Sequence, residues 1–222
     1  MNYLMNNHNQ MYRGIFISFE GIDGAGKSTH IRFFSDEIAK RFPDKKIILT
    51  REPGGTPLGE KLRETLLNDP MSIRTEALLM FASRQEHLTQ VIEPALLQGD
   101  IVISDRFTDS SFAYQCGGRG LLTKDLEDLE HWVQNRTVDN QSYLLQPQTT
   151  FLFDLSAQAA EQRRSATRNP DKFEELDLDF FNRVRREYLR RASNHPQRFV
   201  LIDSSLSIGA IQEQLKTRIA SM

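Results

Sequence analysis

Cysteine is almost absent from this chain: its 222 residues hold one, Cys116. No disulfide can close within it, which fits a reducing cytoplasm. With no histidine adjacent in sequence, Cys116 reads as a small polar-loop residue rather than a reactive thiol. No apolar run approaches the roughly 18 to 20 residues a membrane span requires, so no membrane partner is expected. The opening MNYLMNNHNQMY has neither a basic segment nor an apolar one, so it is not a secretory signal. Residues 1–12 are expected to be a floppy extension, and Met11 offers an alternative start. An excess of positive charge is missing too, since 28 Lys and Arg against 30 Asp and Glu leave a net charge of -2. No global field draws nucleic acid, and any anion must be bound by a local arrangement.

What is present is an alternation. IFISF (15–19), KIILT (46–50), DIVIS (100–104), TTFLFDL (149–155) and RFVLID (198–203) are short, rich in Ile, Val and Phe, and without polar alternation. They read as strands covered on both faces. Helical patterns fill the gaps at 28–41, 58–68, 73–97, 123–135, 156–165, 177–194 and 207–220; in the last, Ile208, Ile211, Leu215 and Ile219 share one face. The pattern predicts an α/β fold, a three-layer α/β/α sandwich around a parallel sheet of about five strands. A chain of this length buries one core, so residues 13–222 are expected to be a single domain. Two segments stand apart: the turn-rich REPGGTP (51–57) and the charged RRSATRNPDKFEE (163–175), which taken alone is a solvated surface loop.

Between the first strand and the first helix lies GIDGAGKST. Gly21, Gly26, Lys27 and Ser28 satisfy the phosphate-loop spacing G-x-x-x-x-G-K-[ST], in the strand–loop–helix context that spacing requires. Glycines let the backbone of Gly21, Ile22, Asp23, Gly24, Ala25 and Gly26 turn its N–H groups onto phosphate oxygens. Lys27 would reach the β- and γ-phosphates, Ser28 would ligate Mg²⁺, and the helix through Ser28 and Thr29 aims its dipole at the same anion. The ligand expected is ATP or a related triphosphate with Mg²⁺. Guanine-specific switches would carry an N-K-x-D element, and the chain has none.

Ligands of open α/β sheets sit beyond the carboxyl ends of the strands. Those ends carry Arg51 and Glu52, Asp105 and Arg106, and Asp154. Two arginine forks outside the phosphate loop suggest a second phosphate-bearing molecule; the alternative is ion pairing of Arg51 with Glu52 and of Arg106 with Asp105. Asp105 closes an apolar strand as a metal-side acid does and is expected to act through water. Asp154 precedes a helix start and reads as local capping or structure.

FEGIDGAGKST, REPGGTPLGE, LLMFASRQEH, DRFTDSSFAYQCGGRG and the spaced DKFE, DFF and Tyr188 occur in an order that resembles the thymidylate kinase family, over residues 15 to about 190. The resemblance implies a P-loop kinase fold, usually homodimeric, and the reaction ATP + dTMP → ADP + dTDP with Mg²⁺ by direct in-line transfer. It implies that Phe81, which alone reads as core, stacks on thymine and that Arg84, three residues on, bonds the base's carbonyl edge. Ser111 and Gln115 would line the other polar edge, and Tyr114 would occupy the place of a ribose 2′-hydroxyl. Arg51 and Arg106 would hold the acceptor 5′-phosphate, and Glu52 and Asp23 would lie near the 3′-hydroxyl and the metal's water shell. Asp23, with no arginine in the loop, implies the bacterial subtype in which a lid, here about 163–175, supplies the catalytic arginine. Arg163 is preferred over Arg164 and Arg168, and Lys172 stands where an arginine is common. Two other readings are a kinase for another acceptor, such as dUMP or a deoxynucleoside, and an ATPase switch acting on a partner.

Overall fold

The computed structural model describes residues 12–165 and 177–222; within these the side chains of Val138, Arg164 and Ser165 are not described. The extension (1–11) and most of the expected lid, with Arg168 and Lys172, therefore lie outside the described residues, as does the Arg164 side chain. Tyr12, at the edge of that extension, is buried and donates its hydroxyl to Glu93 Oε2 at 2.9 Å.

The five apolar runs form one sheet in the order β2-β3-β1-β6-β7. Its strands are β1 (Ile15–Glu20), β2 (Ile47–Arg51), β3 (Ile101–Asp105), β6 (Thr149–Asp154) and β7 (Phe199–Asp203). Every pairing is parallel, as strand–helix–strand crossovers demand. The central strands are buried along nearly their whole length, which is why they read as continuous apolar runs. Alternate residues serve opposite faces. Ile17, Phe19, Ile101 and Ile103 join a core completed by α1 (Lys27–Arg41), α8 (Leu178–Asn194) and α9 (Ile208–Ala220). Phe16 and Val102 join the core on the other face, under α3 (Ile73–His87), α4 (Glu93–Gln98) and α6 (Thr123–Gln134). The fold is thus the expected α/β/α sandwich.

Helix α2 (Pro57–Asn68) opens with Thr56 Oγ1 accepting from Gly59 N and proline in its first turn, a standard N-terminal arrangement. The helical stretch read as 73–97 contains a π-helical turn, Leu88–Ile92, between α3 and α4. Helix α5 (Thr108–Ser111) continues into a π-helical segment, Phe112–Gly118. Cys116 lies there, buried rather than in a polar loop, and burial with the Glu187 charge pushes its thiol up to about 11. A thiol so protonated is a poor nucleophile. The sequence reading misses a hairpin, β4 (Asn135–Val138) and β5 (Gln141–Leu144), whose turn residues Asp139 and Asn140 both have positive φ. Helix α7 (Ala157–Ser165) follows β6. Asp154 takes a bidentate pair from Arg185 at 2.6 and 2.9 Å, the structural role its position suggested.

Candidate active site

At the end of β1 the chain turns through residues 21–26 and enters α1. Gly21 has φ +133, and a Cβ there would collide with the Phe153 carbonyl. Only glycine fits that turn. Gly26, at φ +89, precedes α1; no side chain caps this helix and no acid occupies its first turn. Its N–H groups and dipole are left for an anion. Lys27 is buried, with Nζ donating to the carbonyls of Gly21 at 3.0 Å and Ile22 at 3.4 Å. Burial lowers its pKa and the Arg106 charge adds to this, against Asp105, Asp23 and Glu20. Ser28 and Thr29 are exposed at the helix start.

Next to β1 in the sheet, the end of β3 faces this loop. Arg106 there has φ +72, a conformation that bulky side chains adopt only under constraint. Its Nη2 donates to Asp23 Oδ1 at 2.6 Å and Tyr114 Oη at 3.2 Å, and Nη1 to Ser110 Oγ and Tyr188 Oη, each at 3.0 Å. Tyr114 Oη in turn donates to Asp23 Oδ2 at 3.0 Å. Burial alone would raise the Asp23 carboxyl, but Arg106, Lys27 and these hydrogen bonds hold it well below the usual range. Asp23 therefore stays ionised at neutral pH. The alternative pairs drawn from sequence do not form: Arg106 pairs with Asp23, and Arg51, half exposed, with Glu60 at 2.7 Å. Arg63 on α2, which the sequence reading did not single out, lines the cavity described next, whereas Arg51 does not.

An open cavity lies between α2, α3 and α5, with Asp23, Glu52, Arg84, Arg106, Ser111 and Gln115 among its walls. Arg84, 2 % exposed, donates Nε to Glu52 Oε2 at 2.7 Å and Nη2 to Ser111 Oγ at 2.9 Å; its Nη1 is buried with no partner. Gln115 Nε2 donates to Glu76 Oε1 at 2.9 Å, while Arg119 Nη1 donates to Glu76 Oε2. An ionised carboxylate can only accept, so Glu76 fixes the amide orientation. Gln115 Oε1 is left buried without a partner. Arg84 and Gln115, both wall residues, thus hold one unmet donor and one unmet acceptor, each with almost no exposed surface. Phe81 is not among its walls: it is 2 % exposed in the core, with the Arg84 guanidinium 4.4 Å from its ring centre.

Glu52 is held from behind by His87, whose Nδ1 is 2.9 Å from Oε1 while its Nε2 is 2.6 Å from Thr50 Oγ1. Thr50, His87, Glu52, Arg84 and Ser111 form one continuous buried chain of hydrogen bonds. His87 follows Arg84 by three residues on α3, a helical spacing that could have flagged it. Glu20 and Tyr188 lie within the family pattern but with no role attached to them, and Glu76 carried no local signal. Asp105 Oδ1 is buried without a hydrogen-bond partner beside the Lys27 charge. One such carboxylate with the Ser28 hydroxyl suits Mg²⁺, which takes few protein ligands and shares the rest with phosphates and water. Among the described residues, no group of three or more His, Cys, Asp or Glu could hold a metal alone. Arg163 donates Nη2 to Ser204 O at 3.0 Å, which sets it beside the β7–α9 turn.

A phosphate loop on β1 facing a second, arginine-walled cavity across β3 defines a P-loop phosphotransferase with two nucleotide sites. Comparison with known proteins narrows the class. The thymidylate kinase family model matches residues 19–215. A thymidylate kinase of Burkholderia mallei is 56% identical over 214 residues, 96% of this chain and 100% of that one. One from Paraburkholderia phytofirmans is 54% identical over 95% of this chain and 99% of its own. The crystal structure of thymidylate kinase from Ehrlichia chaffeensis superposes with a TM-score of 0.73 at 30% identity, covering 94% of this chain and 99% of that one. The chain belongs to the thymidylate kinase family.

Proposed function

We propose that this enzyme moves the γ-phosphoryl group of ATP, the donor its family uses, directly onto the 5′-phosphate of dTMP, which occupies the cavity beside the phosphate loop. The observation that carries the acceptor assignment is the pair of unmet groups, Arg84 Nη1 and Gln115 Oε1. A thymine imide presents a carbonyl acceptor beside an N–H donor, the complement of that pair. Cytosine presents the reverse, which would leave both protein groups desolvated and unpaired.

The roles follow from chemistry and position. The dTMP phosphate is largely ionised at neutral pH, so its oxygen attacks the γ-phosphorus without a strong general base as the bond to ADP breaks. Residues 21–26 and the α1 N-terminus hold the donor phosphates, Lys27 neutralises the β- and γ-oxygens, and Arg106 orients the acceptor phosphate. Arg63, on the cavity wall, is better placed than Arg51 to assist. Asp23 and Tyr114 border the sugar; Glu52 braces Arg84 and reaches the same wall. Ser28 and, through water, Asp105 would hold Mg²⁺, which supplies charge neutralisation across the β- and γ-phosphates when bound. A lid over residues 163–175 would exclude water and bring an arginine to the transferred group; Arg163 remains the assignment.

An acceptor panel read by coupled ADP release tests this. Turnover should follow dTMP > dUMP, with dCMP lower in kcat/KM by about 100-fold or more, and thymidine should not be phosphorylated. Comparable use of dCMP would remove the base-edge assignment.

The finer setting is also proposed: a cytoplasmic, single-domain enzyme (13–222) acting as a homodimer. No helix among the described residues is long and apolar enough to cross a membrane. Trp132 on α6, 80% exposed, and Leu97 on α4, 49% exposed, share a shallow groove with Gln85, Glu93 and Arg136, large apolar side chains within a polar rim as pairing surfaces carry. Trp132→Glu should shift sedimentation from dimer to monomer at micromolar concentration. A dimer unaffected by the charge would move the interface elsewhere.

A further inference from the structure

The residue before the phosphate loop, Glu20, is a fully buried carboxylate to which no role has been assigned above. Its Oε1 accepts the backbone N–H of Phe107 at 2.6 Å. Its Oε2 accepts the hydroxyls of Ser110 at 2.6 Å and Tyr188 at 3.0 Å. Both hydroxyls are the acceptors of Arg106 Nη1.

We propose that Glu20 is the positioning residue for Arg106, fixing both the backbone turn and the guanidinium direction that present it to the acceptor phosphate. The inference rests on the reading of Arg106 as the phosphate-holding arginine. Two lines of geometry carry it. The first is the backbone. Arg106 sits at φ +72, and that turn is bound on every side: Arg106 N donates to Phe19 O at 2.9 Å, Ser104 Oγ donates to Arg106 O at 2.7 Å, and Glu20 takes the next N–H. A strained conformation persists only where its surroundings over-determine it.

The second is hydrogen-bond polarity. A carboxylate can only accept, so Ser110 and Tyr188, which also lie 2.7 Å from each other, can give their hydrogens to Glu20 and keep lone pairs for Arg106. The guanidinium can only donate, so this order suits it. A glutamine at position 20 would place an amide N–H₂ where one oxygen now stands. Its donors would compete with Nη1 for the same hydroxyl oxygens. Because Glu20 directly precedes Gly21, the same side chain ties the donor loop to the acceptor arginine. Through Tyr188 it also reaches α8. Burial, with the Asp109 charge adding to it, raises the Glu20 carboxyl to about 7 against the lowering by Arg106. Binding is therefore best measured at pH 8, where the anion prevails.

The test is calorimetric binding of dTMP and of thymidine, which lacks the phosphate, to the full-length wild type, Glu20→Gln, Arg106→Ala and the double variant. Glu20→Gln should weaken dTMP about tenfold, the scale of one charge-assisted hydrogen bond, and leave thymidine within about twofold. In the Arg106→Ala background the same change should add nothing, since a residue acting through another couples fully to it. If Arg106→Ala weakens dTMP but Glu20→Gln does not, or weakens thymidine equally, or adds its full effect to Arg106→Ala, the positioning role is overturned while Arg106 keeps its own. If Arg106→Ala leaves dTMP binding intact, the reading of Arg106 fails and the proposal with it. Should Glu20→Gln not fold, Tyr188→Phe decides: it removes one hydroxyl of the relay and should show the same selective loss at about threefold. Unchanged dTMP binding in Tyr188→Phe would overturn the relay.

Discussion

Replacing Lys27 with alanine should lower kcat for dTMP phosphorylation by about 100- to 1,000-fold, the range for removing one preorganised group that stabilises transition-state charge. Lys27 is 6% exposed, at the first position of α1, with its ammonium beside the carbonyls of Gly21 and Ile22. It is held at the mouth of the loop before any phosphate arrives, so little reorganisation is required when charge develops. The acceptor cavity has no wall formed by Lys27. The KM for dTMP should therefore move little while kcat falls, the mark of an interaction made chiefly in the transition state. Arginine at this position should not rescue, since its planar fork does not replace a compact ammonium in a closed turn. Single-turnover measurements at saturating ATP and dTMP separate the chemical step from product release. Near-normal turnover in Lys27→Ala would refute its role.

Arg84→Ala is expected to act on the other half of the site and on the fold together. The guanidinium is 2% exposed and carries the charge facing Glu52, itself 4% exposed. Its removal leaves Glu52 with His87 as its remaining side-chain hydrogen-bond partner, at 2.9 Å. Taking one partner from a buried ion pair typically costs about 3–5 kcal/mol of stability. Binding should suffer separately, because the unmet Nη1 donor and the Ser111 orientation go with the side chain. A hydrogen bond from a charged group is worth about 1.5–3 kcal/mol, or roughly 10- to 100-fold in dTMP affinity. ATP affinity should stay within about twofold, since α3 contributes nothing to the phosphate loop. Calorimetry with each nucleotide, alongside a urea transition, separates the two effects. Equal loss of ATP and dTMP affinity would sink the assignment of this cavity to the acceptor.

Local chemistry made much of this legible in the sequence. The three central strands are buried along nearly their whole length, and such strands announce themselves as unbroken Ile, Val and Phe runs; the edge strands β2 and β7 carry similar runs but are only partly buried. The phosphate loop is contiguous, so GIDGAGKST specified its turn, its lysine and the helix behind it. Asp154 was read as structural from its place before a helix, and Arg185 holds it in that role. What escaped was long-range or polar. The β4–β5 hairpin is short and exposed, and its only cue was the Asp139–Asn140 pair at the turn. Arg106 and Asp23 are 83 residues apart, and Glu20 and Tyr188 are 168 apart. No periodicity encodes such meetings. The sequence offered Arg51 and Arg106 as matched forks because both follow strands. In the fold β2 is an edge strand, and Arg51 turns outward to Glu60. Phe81 shows the converse: its apolar surroundings pointed to the core, the family resemblance put it on the thymine ring, and the structure has it 2% exposed among core side chains.

The central claim is that two nucleotides meet across β1 and β3 and that phosphate passes between them. The most direct test is the fate of label from [γ-³²P]ATP in the presence and absence of dTMP. The account predicts label in dTDP in step with ADP formation, and orthophosphate near background without dTMP. Orthophosphate released at the same rate whether or not dTMP is present would contradict it.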